Sequence, residues 1–284
     1  MDGQQTRFED HRDHLRAVAY RMLGSRSDAD DAVQEAWLRM DRADTGDVRN
    51  LRGWLTTVVA RVCLDMLRAR NARCEEPLGD APPRPAAVVD PEQEAVLADS
   101  IGVALLVILQ TLSPAERLAF VLHDMFDLPF AEIAPIVGRS ENTTAQLAAR
   151  ARRRVRGKHP DTAGDLVRQR RLVEAFLAAA RDGNFDALLA ALDSDVVLHV
   201  DAAAAGTATT IRGARAVAAN AHRFSANARF AEPALVDGAV GIVVAPEGRL
   251  AIVLRFAVVG DKITEIDIHS DPTRLRRFNL ALLD

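Results

Sequence analysis

The sequence predicts a multidomain chain: two all-α domains, the second carrying a helix-turn-helix, followed by an α+β domain. Three observations predict it. Apolar residues recur at helical spacing through the first half; the proline-rich stretch Glu75–Pro91 (EEPLGDAPPRPAAVVDP) interrupts them; and beyond Gly164 helical stretches give way to short β-branched runs separated by turn residues. A length of 284 residues gives room for two or three small domains rather than one core. The expected limits are 1–74 for the first domain, 75–91 for a linker, 92–160 for the second domain and 165–284 for the third.

In the first domain Phe8, Leu15, Val18, Ala19 and Met22 share a helical face, and Gly24 supplies the stop. Ser27 is a candidate N-cap for the next helix, with Asp28, Asp30 and Asp31 complementing its dipole and Ala29, Val33, Ala36, Trp37 and Met40 on its apolar side. Asp41–Asp47 reads as a polar loop. Asn50 caps a third helix, Leu51 to about Arg70, which turns Trp54, Leu55, Val58, Val62 and Met66 inward.

Helical signal returns over Glu92–Leu112. Ser113-Pro114-Ala115-Glu116 is a capping box with proline at the first helical position. Phe130–Val137 reads as a short helix closed by Gly138, and Pro135 within it removes one hydrogen bond and predicts a kink. Ser140 caps a longer helix, Glu141–Arg156, with Thr144, Leu147, Ala148, Ala151 and Val155 inward. Asn142, Thr143, Gln146, Arg150 and Arg153 point outward. Such a helix enters a major groove, where Asn and Gln pair with adenine and Arg with guanine; Arg154 and its neighbours suit phosphates. The competing reading is a solvated helical hairpin with a charged face.

The third domain opens with helices Leu166–Arg181 and Phe185–Leu192, the latter capped by Asn184. A strand Val196–Val200 and a helix Ala214–Ser225 follow. Arg229–Val236, Ala239–Val244, Leu250–Val259 and Lys262–His269 read as an antiparallel meander, with hairpin signals at Asp237-Gly238 and Gly260-Asp261. A short helix from Thr273 closes the chain.

Composition narrows the function. The formal net charge of −4 argues against a dedicated nucleic-acid binder, yet Arg150, Arg152, Arg153, Arg154, Arg156 and Lys158 crowd one stretch. Cys63 and Cys74 lack the spacing of a zinc site, and Cys63 reads as a small buried hydrophobe. No metal or cofactor is expected. The polar N-terminus and the short apolar run Ile101–Leu109 predict no signal peptide, no membrane span and a cytoplasmic protein.

The stretches DDAVQEAWLR (30–39) and GWLTTVVARVCLDMLRAR (53–70), followed by the helix-turn-helix, resemble the extracytoplasmic-function sigma factors of bacterial RNA polymerase, with a C-terminal SnoaL-like domain as in the SigJ-like branch. The resemblance implies core RNA polymerase and promoter DNA as partners. Asp30, Asp31, Gln34 and Glu35 would dock on the polymerase clamp. The loop Asp41–Asn50 would receive a flipped base of the minus-ten element, and Arg61, Arg68, Arg70 and Arg73 would hold the separated strand. The helix-turn-helix would read the minus-thirty-five element. The SnoaL-like cone-shaped barrel would contact the sigma domains and regulate them in cis. Departures are visible: Asp201-Ala-Ala-Ala-Ala205 replaces an Asp-Gly-Gly-Gly-Lys motif, and Asp271–Leu275 diverges from an Asn-Pro-Asp-Lys-Leu signature.

His199 with Asp201, and Asp267 with His269, are candidate pocket residues for acid–base work; the plainer reading places them at strand ends. Two other classes stay open. One is a ligand-responsive helix-turn-helix regulator. The other is a SnoaL-type cyclase or isomerase. Neither needs the first domain, and the expectation is that the chain is not an enzyme.

Overall fold

The computed structural model describes residues 2–43, 48, 50–75, 102–157, 163–223 and 228–283. The expected linker 75–91 lies outside them except for Glu75, as does most of the loop 44–49. Two compact units emerge: residues 1–94 with 112–153, and residues 95–111 with 154–284. Among the described residues no helix is long and apolar enough to cross a membrane.

In the first unit α1 (Asp2–Glu9), α2 (Arg12–Leu23), α3 (Arg26–Asp41) and α4 (Leu51–Glu75) come first. Gly24 takes φ 74° and its N–H closes on the Tyr20 carbonyl, ending α2 as the sequence predicts. The N-cap of α3 is Ser25, not Ser27: the Ser25 hydroxyl accepts from the Asp28 N–H. The tight exit from Gly24 starts α3 two residues early, which leaves Ser27 exposed in the first turn. Asn50 caps α4 through the Gly53 N–H at 2.9 Å. Within α4, Leu55 and Val62 are fully inside, whereas Trp54, Val58 and Met66 are only half-buried. Cys63 is fully buried, and burial pushes its thiol up to about 12.

The same unit continues with α6 (Pro114–Phe120), a π-helical turn over Val121–Met125, α7 (Phe130–Val137) and α8 (Glu141–Arg156), whose last turn belongs to the second unit. The Ser113–Glu116 capping box forms. Helix α7 runs through Pro135 without a break. Pro135 and Ala131, whose carbonyl loses its helical donor, are both exposed, so water can take that bond. Helices α6 and α7 pack on α4. Arg117 in addition ties α6 to the end of α2: it is 5% exposed and donates from Nη1 to the Met22 carbonyl at 2.8 Å. Burial, then Arg70, lowers its pKa to about 10. Beside it Arg21 lies over the Phe126 ring and the His14 ring meets the same ring edge-on.

The second unit begins with α5 (Val103–Thr111), whose residues are nearly all apolar and which packs on a sheet and not within the preceding helices. Then follow α9 (Ala163–Asp182), α10 (Phe185–Ala191), β1 (Leu192–Val200), α11 (Ala202–Ala205), β2 (Thr209–Arg212), α12 (Ala214–Arg223), β3 (Ala231–Val236), β4 (Ala239–Val244), β5 (Ile252–Val259), β6 (Lys262–His269), α13 (Pro272–Leu275) and β7 (Leu280–Ala281). The strand order is β2-β1-β6-β5-β4-β3-β7. The meander β3 to β6 is antiparallel as expected, but β1 joins β6 in parallel, which the local pattern does not reveal. Asp237 and Gly238 both take positive φ, the requirement of a two-residue hairpin turn.

Helix α5 is gripped by the sheet. Glu232 accepts the Ala104 N–H at 2.8 Å at its first turn, and Gln110 donates to the Gly248 carbonyl. At the other side the Leu282 N–H donates to the Val155 carbonyl at 2.9 Å. Gly157 makes that approach feasible: at φ 70° a Cβ there would lie 2.4 Å from the Ala281 Cβ.

Two outcomes follow from the first unit. Arg117→Ala leaves the Met22 carbonyl unsatisfied and a void, so it should cost about 2–4 kcal/mol in denaturant unfolding; a loss under about 0.5 kcal/mol, the range of surface changes, would contradict this. His14 accepts from Arg52 at Nδ1 and pairs with the Thr56 hydroxyl at Nε2, a neutral ring, and burial followed by Arg52 lowers its pKa from 6.5 to about 4. The unfolded ring takes a proton first, so stability should fall as pH drops from about 6.5 to 4. His14→Gln should flatten that part of the stability–pH curve.

Candidate DNA and polymerase interfaces

The helix-turn-helix geometry follows from three local devices. Gly138 takes φ 73° and closes α7 on the Ala134 carbonyl. The Ser140 hydroxyl accepts the Thr143 N–H at 3.3 Å, and the Thr144 hydroxyl donates to the Ser140 carbonyl. Thr144, Leu147, Ala148, Ala151 and Val155 are all buried. That fixes the rotation of α8, leaving Asn142, Gln146, Arg150, Arg153 and Arg154 exposed and Thr143 half-buried. Arg150 also faces Glu116 at 3.4 Å, and Arg152 pairs with Asp124. The Arg150 contact was not foreseeable, because the two residues lie on different helices.

On α3, Asp30, Asp31 and Gln34 are exposed and Glu35 is half-buried. Asp30 is bridged by Arg16 at 2.6 Å and Glu35 by Arg39 at 2.9 Å. Exposed pairs of this kind are worth at most about 1 kcal/mol and yield readily to a partner. Beside them lies a groove of about 200 Å³ in which Phe8, Val33 and Trp37 meet Asp30 and Gln34. Phe8 packs edge-on against Trp37 at 5.1 Å. Spacing alone places Trp37 in the core; it is half-buried and forms the groove wall.

On α4, Arg61 and Arg68 are exposed. Arg70 is turned to Asp28 at 2.6 Å. The side chain of Arg73 and the central residues of the loop Asp41–Asn50 lie outside the described residues.

The Sigma-70 region 2 family model matches residues 7–73, and the Sigma-70 region 4 model matches residues 102–155. A probable ECF RNA polymerase sigma factor SigI of Mycobacterium tuberculosis is 35% identical over 275 residues, covering 93% of this chain and 92% of its own. The ECF sigma factor SigJ of the same species is 42% identical over 199 residues, 68% of this chain and 64% of its own. The chain belongs to the ECF RNA polymerase sigma factors. The crystal structure of Mycobacterium tuberculosis SigJ aligns over 95% of this chain and 97% of its own, with a TM-score of 0.46 and 30% identity.

In this sigma factor the four C-terminal candidates do not line one cavity among the described residues; Asp267 lines a hollow of about 190 Å³ with Arg255 and Glu265. An apolar cavity of about 60 Å³ lies between α9, α12 and the inner sheet face, walled by residues such as Phe176, Val217, Ile242 and Ile266. Among the described residues Asn220 is its single polar lining residue, and His199, Asp201, Asp267 and His269 are not part of the wall. The reason is strand alternation: Leu198, Val200, Ile266 and Ile268 point inward, so His199 and Asp267 fall on the other face. There His199 meets Glu265 at 3.4 Å and the Thr210 hydroxyl at 3.2 Å. The imidazole of His199 and the carboxylates of Glu265 and Asp267 come within 4.8 Å of one another. His269 is buried against Phe278, and burial lowers its pKa.

Asp201 has a structural task. It caps α11 through the Ala204 N–H and accepts from the Ser270 N–H, the Ser270 hydroxyl and the Asp271 N–H. Against the opposing effect of burial, these donors hold its pKa down at about 2. The alanines 202–205 form α11 itself, which glycines in those positions would disfavour. Asp201→Ala should destabilise the second unit by about 1 kcal/mol or more, seen as a lowered midpoint in urea. An unchanged midpoint would contradict the capping role.

Proposed function

We propose that this sigma factor docks on the core polymerase clamp through Asp30, Asp31, Gln34, Glu35 and the Trp37 groove. In this reading Asn142, Thr143 and Gln146 contact bases of the minus-thirty-five element, and Arg150, Arg153 and Arg154 contact its phosphates. Arg61, Arg68, Arg70 and Arg73 follow the separated strand at the minus-ten element. The protein acts in the cytoplasm, as an initiation factor and not as an enzyme. The observation that carries the reading is the pairing, on one chain and in order, of an exposed acidic face on α3 with an exposed Asn/Gln/Arg face on α8.

The described arrangement is the closed state in this account. The two promoter elements lie about 25 base pairs apart, or about 85 Å of B-form duplex at 3.4 Å per step. Packed helices sit only about 8–10 Å apart. With α6 and α7 seated on α4, the two reading surfaces cannot span that distance. Binding to polymerase therefore has to part them at Arg117. Regulation in cis is supported by α5: it falls within the span matched by region 4, yet it is gripped by the C-terminal sheet through Glu232 and Gln110.

Co-elution with purified core polymerase tests docking. Asp31→Arg with Gln34→Arg should abolish co-elution while leaving the circular dichroism spectrum unchanged; undiminished co-elution would refute the assigned face. On promoter templates Gln146→Ala should cost about 1–3 kcal/mol of discrimination at the cognate base pair. Arg153→Ala should instead weaken binding evenly across sequences and reduce the salt slope. Glu232→Ala, by loosening α5, should change the yield of promoter-dependent transcript; equal yields would count against regulation in cis.

A further inference from the structure

A second cavity lies within the second unit, between α5, the last turn of α8 and the segment around α13 and β7. Its volume is about 580 Å³, inside the range of about 300–1,000 Å³ usual for small-molecule sites. Three guanidinium-bearing residues, Arg154, Arg249 and Arg276, line it, together with Gln110, Ser270 and Phe278. Among the described residues no carboxylate lines it. Of the carboxylates near it, Asp201 accepts the donors named above, and Asp271 accepts the Thr273 and Arg274 N–H groups. In a chain of net charge −4, three arginines around one hollow form a strong local departure. Guanidinium groups match phosphate oxygens in geometry and charge, and the half-buried Phe278 ring offers a face for a base.

The geometry points to a binding site for a small phosphorylated molecule of nucleotide size, held by Arg154, Arg249 and Arg276. Duplex DNA is the less suitable source of phosphate for Arg249 and Arg276, which line a hollow beside the C-terminal sheet, whereas Arg154 lies at the end of α8 where the hollow meets the DNA-reading helix. The site has a consequence for control. Arg154 lies on α8 and Gln110 on α5, so an occupant ties both to the C-terminal sheet, and any effect of the ligand on DNA binding must be matched by an equal effect of DNA on ligand binding.

The test is calorimetric titration of the full chain with inorganic pyrophosphate, ATP and adenosine. Pyrophosphate and ATP should bind saturably, ATP the tighter, and adenosine should not bind. Arg249→Gln with Arg276→Gln, two exposed positions, should weaken ATP binding by about tenfold or more. Arg215→Gln, an exposed arginine outside the cavity, should leave it unchanged. No saturable binding of either phosphate compound below about 1 mM, or equal ATP binding in the double variant, would overturn the site. So would a double variant that loses promoter-duplex binding when the unaltered chain binds no ATP.

Discussion

The first unit depends on one buried guanidinium. Helix α2 ends at Leu23 and leaves its last carbonyls without helical donors. Arg117, from a helix nearly a hundred residues later, reaches in and takes the Met22 carbonyl. The partial negative charge of that helix end is the counter-charge it receives. No carboxylate bridge is described for it, and its Nε is buried without a partner among the described residues. The contact is therefore costly to break by truncation but gains little over hydration once the guanidinium can return to water. That balance suits a joint that holds in the free protein and parts when a larger surface competes for it.

The second unit is built on the opposite principle. Its sheet covers an apolar helix, α5, that has little polar surface to offer water. Hydrogen bonds from Glu232 and Gln110 set where that helix lies, and apolar burial supplies the adhesion. The Leu282–Val155 bond and the close approach at Gly157 hold the end of α8 to the same body. One unit thus contains both ends of the segment that the region 4 family model matches.

Much of this was legible in the sequence, for identifiable reasons. Gly24, Asn50, the Ser113–Glu116 box, Gly138 and Ser140 each carry a hydrogen bond within a few residues, so local chemistry was enough to place them. The inward face of α8 followed from its apolar spacing. The meander strands were bounded by residues that accept positive φ, notably Asp237, Gly238 and Gly260. What was hidden depends on distant partners. The parallel pairing of β1 with β6, the Arg117 joint, the Arg150–Glu116 contact and the docking of α5 are long-range. Ser25 and Ser27 offer the same capping chemistry two residues apart, so local pattern alone does not choose between them. The His and Asp residues of β1 and β6 suggest a pocket because alternation gives two faces without saying which one lines the cavity.

In the proposed mechanism the first unit opens at Arg117. Its most direct test is energy transfer between dyes at Asp65 on α4 and Glu141 on α8, both exposed. A Cys74→Ser background leaves only buried Cys63, whose raised pKa keeps it unreactive. High transfer in the free chain that collapses on adding core polymerase, consistent with separation by tens of ångströms, is the predicted result. High transfer that persists in the polymerase complex while transcription proceeds would contradict the account.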